Sequence, residues 1–225
     1  MTVVETGGDD EATDTITAKW TGVTYDTTID NEPVPGTAGD PYTVGVFMST
    51  APAFVDRNHR YLDDPGGGLS LPSYLLGQEY IMSGNDNRDN ADYQLDITID
   101  TFSRIYMLID NRLSNGDGST PPGIGPGSME WITNDGWLPV LTGNNRASDA
   151  LIPDELPFDE GADDTIEQYS SVYYRDFAAG VAQVFQADNA GRNMYGVVVA
   201  PIPEPSASLV LIMTLGGFLC RRRRA

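Results

Sequence analysis

Oxygen ligands crowd one stretch of this 225-residue chain. In SGNDNRDNADY (83–93), Asn85, Asp86, Asn87, Asp89, Asn90 and Asp92 recur at the alternating spacing by which calcium loops present hard oxygen donors. The central glycine and the distal bidentate glutamate of the best-known calcium loop are missing. Asp86, Asp89 and Asp92 are therefore weighed as holders of a structural calcium against a solvated turn before a strand. Acids also occur in adjacent pairs, at Asp63–Asp64, Asp154–Glu155, Asp159–Glu160 and Asp163–Asp164. A glycosidase needs two carboxylates facing each other across a bond, whereas neighbours on a strand point to opposite faces. Loop carboxylates thus support a polysaccharide hydrolase or lyase only as an alternative, and no catalytic residue is assigned.

His59 is the sole histidine, which excludes an HExxH zinc helix and any site built on two or three imidazoles. No GxSxG elbow supplies a nucleophile for it, so His59 reads as a structural histidine at a loop or strand edge. GIGPG (123–127) lacks the lysine and following helix of a phosphate loop, and proline stands where amide donors would be needed. Trp131 and Trp137, six residues apart in MEWITNDGW, are candidate stacking platforms for sugar rings, with Asn144, Asn145 and Arg146 as hydroxyl partners. The competing reading places both indoles in a core.

Positioning these groups falls to strands. Glycine (24) and proline (15) punctuate short runs rich in Thr, Val, Ile and Tyr. DTITAKW (14–20), VTYDTTI (23–29) and YTVGVFM (42–48) read as strands. In ADYQLDITID (91–100), Tyr93, Leu95, Ile97 and Ile99 alternate with polar residues, a period of two that gives one apolar face. SRIYMLID (103–110) follows after a short link, and the pair reads as a hairpin. Residues 167–177, 181–187 and 194–200 complete the series, separated by turn-type sequence. No amphipathic helix pattern and no fixed repeat interrupts it. The expected class is all-β, an antiparallel sandwich spanning 1–200, with long loops at 113–129 and 144–165.

Acidic residues number 33 against 13 basic, a net charge of −20. Four of the basic residues are the terminal arginines, leaving 33 against 9, or −24. Such a surface repels phosphate backbones and argues against nucleic acid as a partner. The one cysteine, Cys220, leaves the first 219 residues without a thiol, hence without disulfides or thiolate metal sites.

The last 25 residues differ from everything before them. PIPEPSASLVLIMTLGGFLCRRRRA places Pro203-Glu204-Pro205 before an apolar run, Ala207–Cys220, and ends it in Arg221, Arg222, Arg223 and Arg224. An apolar run stopped by a basic cluster reads as a short hydrophobic helix threaded into a membrane, its arginines held cytoplasmic and the acidic body on the outer side. At 14 residues it falls short of the roughly 20 that a stable span needs.

In order and spacing, these three parts resemble the PEP-CTERM sorting signal of Gram-negative bacteria. The resemblance covers residues 201–225 and implies recognition by an exosortase, a membrane-embedded cysteine protease. Cutting near the motif would then deliver the body to the cell surface or the extracellular polysaccharide matrix. By position, Pro203, Glu204 and Pro205 would be the recognition motif, Ala207–Cys220 the membrane segment and Arg221–Arg224 the stop. Members of that family begin with a signal peptide, which MTVVETGGDDEAT does not resemble. The expectation is a start codon assigned too far downstream, or a trimmed chain, and the genomic DNA upstream of Met1 would decide it. A fainter resemblance, to the last strands of galactose-binding-like jelly-roll modules, lies in residues 169–199 with MEWITNDGW before them, and it implies a carbohydrate-related sandwich. The expected role is that of an exported, non-catalytic protein binding or organising polysaccharide. The alternatives are the hydrolase or lyase above and a permanently tail-anchored envelope protein.

Overall fold

The computed structural model describes residues 1–8, 46–50, 52–54, 57, 59–64, 66, 68–113, 118, 121–127, 129–161, 163–187 and 192–203. Within them, ten strands run in chain order: β1 (Thr2–Thr6), β2 (Arg60–Tyr61), β3 (Glu79–Ile81), β4 (Gln94–Ile99), β5 (Ser103–Asp110), β6 (Leu138–Pro139), β7 (Glu155–Asp159), β8 (Gln168–Phe177), β9 (Gly180–Phe185) and β10 (Gly196–Pro201). A single-turn helix, α1 (Glu130–Asn134), lies between β5 and β6. The strands expected at 14–20 and 23–29 lie outside the described residues, as does most of 42–48.

The chain is all-β and antiparallel. Three strands form one sheet in the order β1-β4-β9. Seven form the other, in the order β2-β7-β8-β5-β10-β3 with β6 added beside β8. Both contribute to one hydrophobic cluster. The alternation in β4 survives intact: Leu95, Ile97 and Ile99 are buried while Gln94, Asp96 and Thr98 are half-buried on the opposite face.

The expected hairpin between residues 91–100 and 103–110 does not form. β4 pairs with β1 and β9, whereas β5 pairs with β8 and β10, so Asp100–Phe102 carries the chain from one sheet to the other. The two segments differ in pattern for this reason. β4 has one core face, but β5 is the centre of the larger sheet and is covered on both sides, so its apolar residues run nearly without a break. Ile105, Met107 and Ile109 share one face of β5; Tyr106 and Leu108 take the other. Near the latter face lie Tyr61, Tyr80, Phe47 and Phe158, which meet edge-to-face or tilted at centroid distances of 5.1–6.2 Å. Gly196 in β10 makes room for them. A Cβ there would stand 2.6 Å from the Tyr61 hydroxyl and 3.1 Å from that of Tyr80.

A second sheet-to-sheet passage, from β8 to β9 through Ala178 and Ala179, sits beside the first: Ser103 pairs with Phe177 and Ile99 with Gly180. One pole of the molecule therefore collects both passages, and the far ends of β5, β7 and β8 define the opposite pole.

The acidic stretch 144–165, expected to be a loop, contains a strand. β7 is buried at all five positions and pairs with both β2 and β8.

Candidate functional site

β7 brings carboxylates into the protein, and the neighbouring strands supply what neutralises them. Asp154 and Asp159 are 0% exposed and Glu155 3%. Glu155 accepts hydrogen bonds from Asn111 Nδ2 (2.7 Å) and from Arg146 through its backbone amide (2.9 Å), Nε (3.0 Å) and Nη2 (2.8 Å). Asn111 in turn accepts from the Ser171 hydroxyl at 2.6 Å. Asp154 accepts from the Thr142 amide and hydroxyl, the Asn144 amide, and the Tyr74 hydroxyl at 2.8 Å. Desolvation, then the charge and hydrogen bond of Asp154, push the Tyr74 phenol well up, which keeps it a donor.

At the end of β5, Asp110 accepts from the Arg112 backbone amide (2.8 Å), from its guanidinium, and from the Asn193 amide (3.3 Å). The same Arg112 guanidinium reaches Glu160, and Asn193 Nδ2 donates to Glu160 at 2.7 Å. Asp110 and Glu160 therefore converge on one arginine and one asparagine. Asp159 accepts from Arg60 Nη2 at 2.9 Å and from the amides of Gly161 and Asp164.

His59 adjoins this cluster. Its ring meets Phe158 at 5.6 Å and Phe54 at 5.9 Å, both edge-to-face. Nδ1 is buried without a hydrogen-bond partner. Desolvation lowers the imidazole pKa; Glu160 and Asp159 oppose the shift, and Arg57 and Arg112 reinforce it. Burial therefore favours the neutral ring.

Carboxylate oxygens of Asp159, Asp163 and Glu167 lie within 4.8 Å of one another and could hold a cation, the first buried and the other two exposed. Sequence reasoning placed calcium elsewhere, near Asp86, Asp89 and Asp92, and those three do not converge. Asp86 is turned onto Arg57 and Arg88, whose hydrogen bonds outweigh partial burial and hold its carboxyl below the usual carboxylate range. Asp89 faces Arg88 at 3.7 Å. Residues 85–89 form a 3₁₀ turn, with Asn85 and Asn87 facing inward to bond the Met194 amide and Glu5. The segment staples β1 and the approach to β10. The side-chain oxygens of Asn85 and Asp86 are spent on protein donors.

No known protein family, characterised protein or solved structure matches the chain.

The residues weighed as sugar contacts lie among packed or bonded groups. Trp137 is 4% exposed, and Trp131 is packed against the core. Their rings meet each other edge-to-face at 6.1 Å; Trp131 also abuts Phe185 and Tyr195, and Trp137 abuts Phe177. Trp131 Nε1 donates to the Gln186 carbonyl. Trp137 thus offers no outward face for a sugar to stack on, while Trp131 is half-buried with its edges engaged by these rings. Asn145 is buried and bonds the carbonyls of Asp149 and Ile152, Asn144 bonds those of Ser70 and Glu155, and Arg146 holds Glu155. Asn144, Asn145 and Arg146 hold the segment leading into β7, and the two tryptophans pack where α1 meets β8, β9 and Tyr195. Of the sorting motif, Pro203 is described, two residues beyond β10, and Glu204, Pro205 and Arg221–Arg224 lie outside the described residues. Among the described residues no helix is long and apolar enough to cross a membrane.

The Asp110–Glu160 pairing, which sequence reasoning missed, joins residues 50 apart. Its one signal was the density of Asp, Glu and Arg around 110–112 and 154–167.

Proposed function

We propose that the protein is an exported, non-catalytic β-domain of the cell surface or extracellular matrix. Its C-terminal segment sorts it there, and its job is to bind or organise polysaccharide. One observation carries this reading. Pro203-Glu204-Pro205, the apolar run Ala207–Cys220 and Arg221–Arg224 follow the last strand directly, with Pro201 still paired to Ser103. β10, the last strand among the described residues, thus ends two residues before Pro203. The tail is read as a membrane-inserted helix that an exosortase-type protease removes near Pro203–Pro205. Two antiparallel sheets sharing one core, with both sheet-to-sheet passages at one pole, support a jelly-roll-like sandwich as the finer fold.

Mass spectrometry of the mature protein from its native host tests the sorting step. Loss of every residue beyond the motif is expected. Retention of Arg221–Arg224 at the envelope would instead make this a permanently tail-anchored protein, and failure to leave the cytoplasm would end the export reading. Pull-down with the host's own extracellular polysaccharide tests the binding role.

The convergence of Asp110 and Glu160 carries an alternative, an exported polysaccharide hydrolase or lyase. Reducing-sugar or unsaturated-product release by the purified protein, abolished by Glu160→Gln, would establish it in place of the non-catalytic role.

A further inference from the structure

The pole bearing both sheet-to-sheet passages is also the pole from which the tail departs. The Ile202 amide donates to the Phe102 carbonyl at 2.9 Å, and Pro201 pairs with Ser103. A pocket of about 220 Å³ at this corner is lined by Pro201, Asp100, Ser103 and Glu79 together with Met1, which precedes β1. From Ile202 to Ala207 is five residue steps, two of them into proline, with a maximal reach of about 18 Å. The opposite pole lies seven strand steps farther along β5, about 23 Å away.

The two poles differ in character. Among the described residues, the near one exposes Phe102, Ala178, Ala179, Gly180 and Val181; its carboxylates are Asp100, paired with the Met1 amino group, Asp176, paired with Arg104, and Glu79. The far one carries Asp110, Asp159, Glu160, Asp163, Asp164 and Glu167, six carboxylates of which Asp110 and Asp159 are buried, against the two guanidiniums Arg60 and Arg112 that pair with four of them. An anionic lipid surface repels the second and tolerates the first.

We infer that, before processing, the domain sits on the lipid surface through the Asp100–Phe102 and Phe177–Gly180 turns, with its carboxylate-rich pole directed away. This rests on the membrane reading of the tail. The short tether holds the near pole against the headgroups, and charge selects which end faces them.

The test uses the full chain in phosphatidylcholine–phosphatidylglycerol vesicles, on a Cys220→Ser background that leaves no other thiol. Fluorophores are placed by Ala179→Cys at the near pole, by Ala147→Cys at the exposed far end, or by Thr214→Cys in the apolar run. Headgroup spin-labelled lipid is expected to quench the Ala179 label several-fold more than the Ala147 label. Equal quenching, or stronger quenching at Ala147, overturns the orientation. Absence of quenching at Thr214 by acyl-chain spin labels overturns the membrane reading itself, so the two failures are told apart.

Discussion

At Glu155, four donors from two segments converge on one carboxylate that water barely reaches. Removing one partner of a buried ion pair costs more than the pair contributes, because the remaining charge stays desolvated. Arg146→Ala is therefore expected to destabilise the fold by about 3 kcal/mol, read from urea unfolding. Arg146→Lys should recover less than half, since an ammonium cannot reproduce the guanidinium fork or its seat over the Tyr169 ring, 4.0 Å away. His59 gives the second residue-scale prediction. Its folded pKa lies below the unfolded value of about 6.5, so the folded state binds fewer protons than the unfolded one. Stability tied to His59 is complete above about pH 6.5 and falls as pH drops through the folded pKa. His59→Gln should lose less stability than wild type between about pH 7.5 and about pH 5.5, and equal losses would remove His59 as the cause. Many carboxylates titrate below this window in both proteins, which is why the comparison is differential.

At the scale of elements, the strands themselves were legible where alternation was clean and illegible where charge was buried, whereas pairing was not, since β4 and β5 lie in different sheets. Leu95, Ile97 and Ile99 announced β4 because only one face of that strand meets the core. The apolar run of β5 fits a strand covered on both faces, but its closeness in sequence to β4 led to the expectation of a hairpin that does not form. β7 was hidden because Glu155, Pro157 and Asp159 resemble loop residues until Arg146 and Arg60 are brought to them from elsewhere. The tryptophans were legible as aromatic anchors, but whether they faced sugar or core depended on Phe177, Phe185 and Tyr195, which lie 40 or more residues downstream. Two substitutions test this packing by thermal unfolding. Trp137→Ala should cost about 3–5 kcal/mol, the range for emptying a large aromatic site in a core. Gly196→Ala should cost about 1–3 kcal/mol despite alanine's smaller entropy loss, because its Cβ would drive into the Tyr61 hydroxyl. A neutral outcome there would mean that Tyr61 and Tyr80 can shift without loss.

For the whole molecule, the placement of β10 decides when folding can finish. β5 lies between β8, which begins 58 residues after β5 ends, and β10, the last strand before the tail. A chain ending at residue 195 lacks β10 and leaves β3 and β5 unpaired along those edges. It is expected to show no cooperative thermal transition by circular dichroism, whereas a chain ending at Pro203 should unfold in one step. Strand neighbours so far apart in sequence also make for slow folding, since each pairing closes a long loop first. During synthesis the central strand β5 cannot gain its second neighbour until residues 196–201 have left the ribosome. Until then the edges of β3 and β5 that β10 covers stay open, so the last strand to be made is the one that closes the larger sheet.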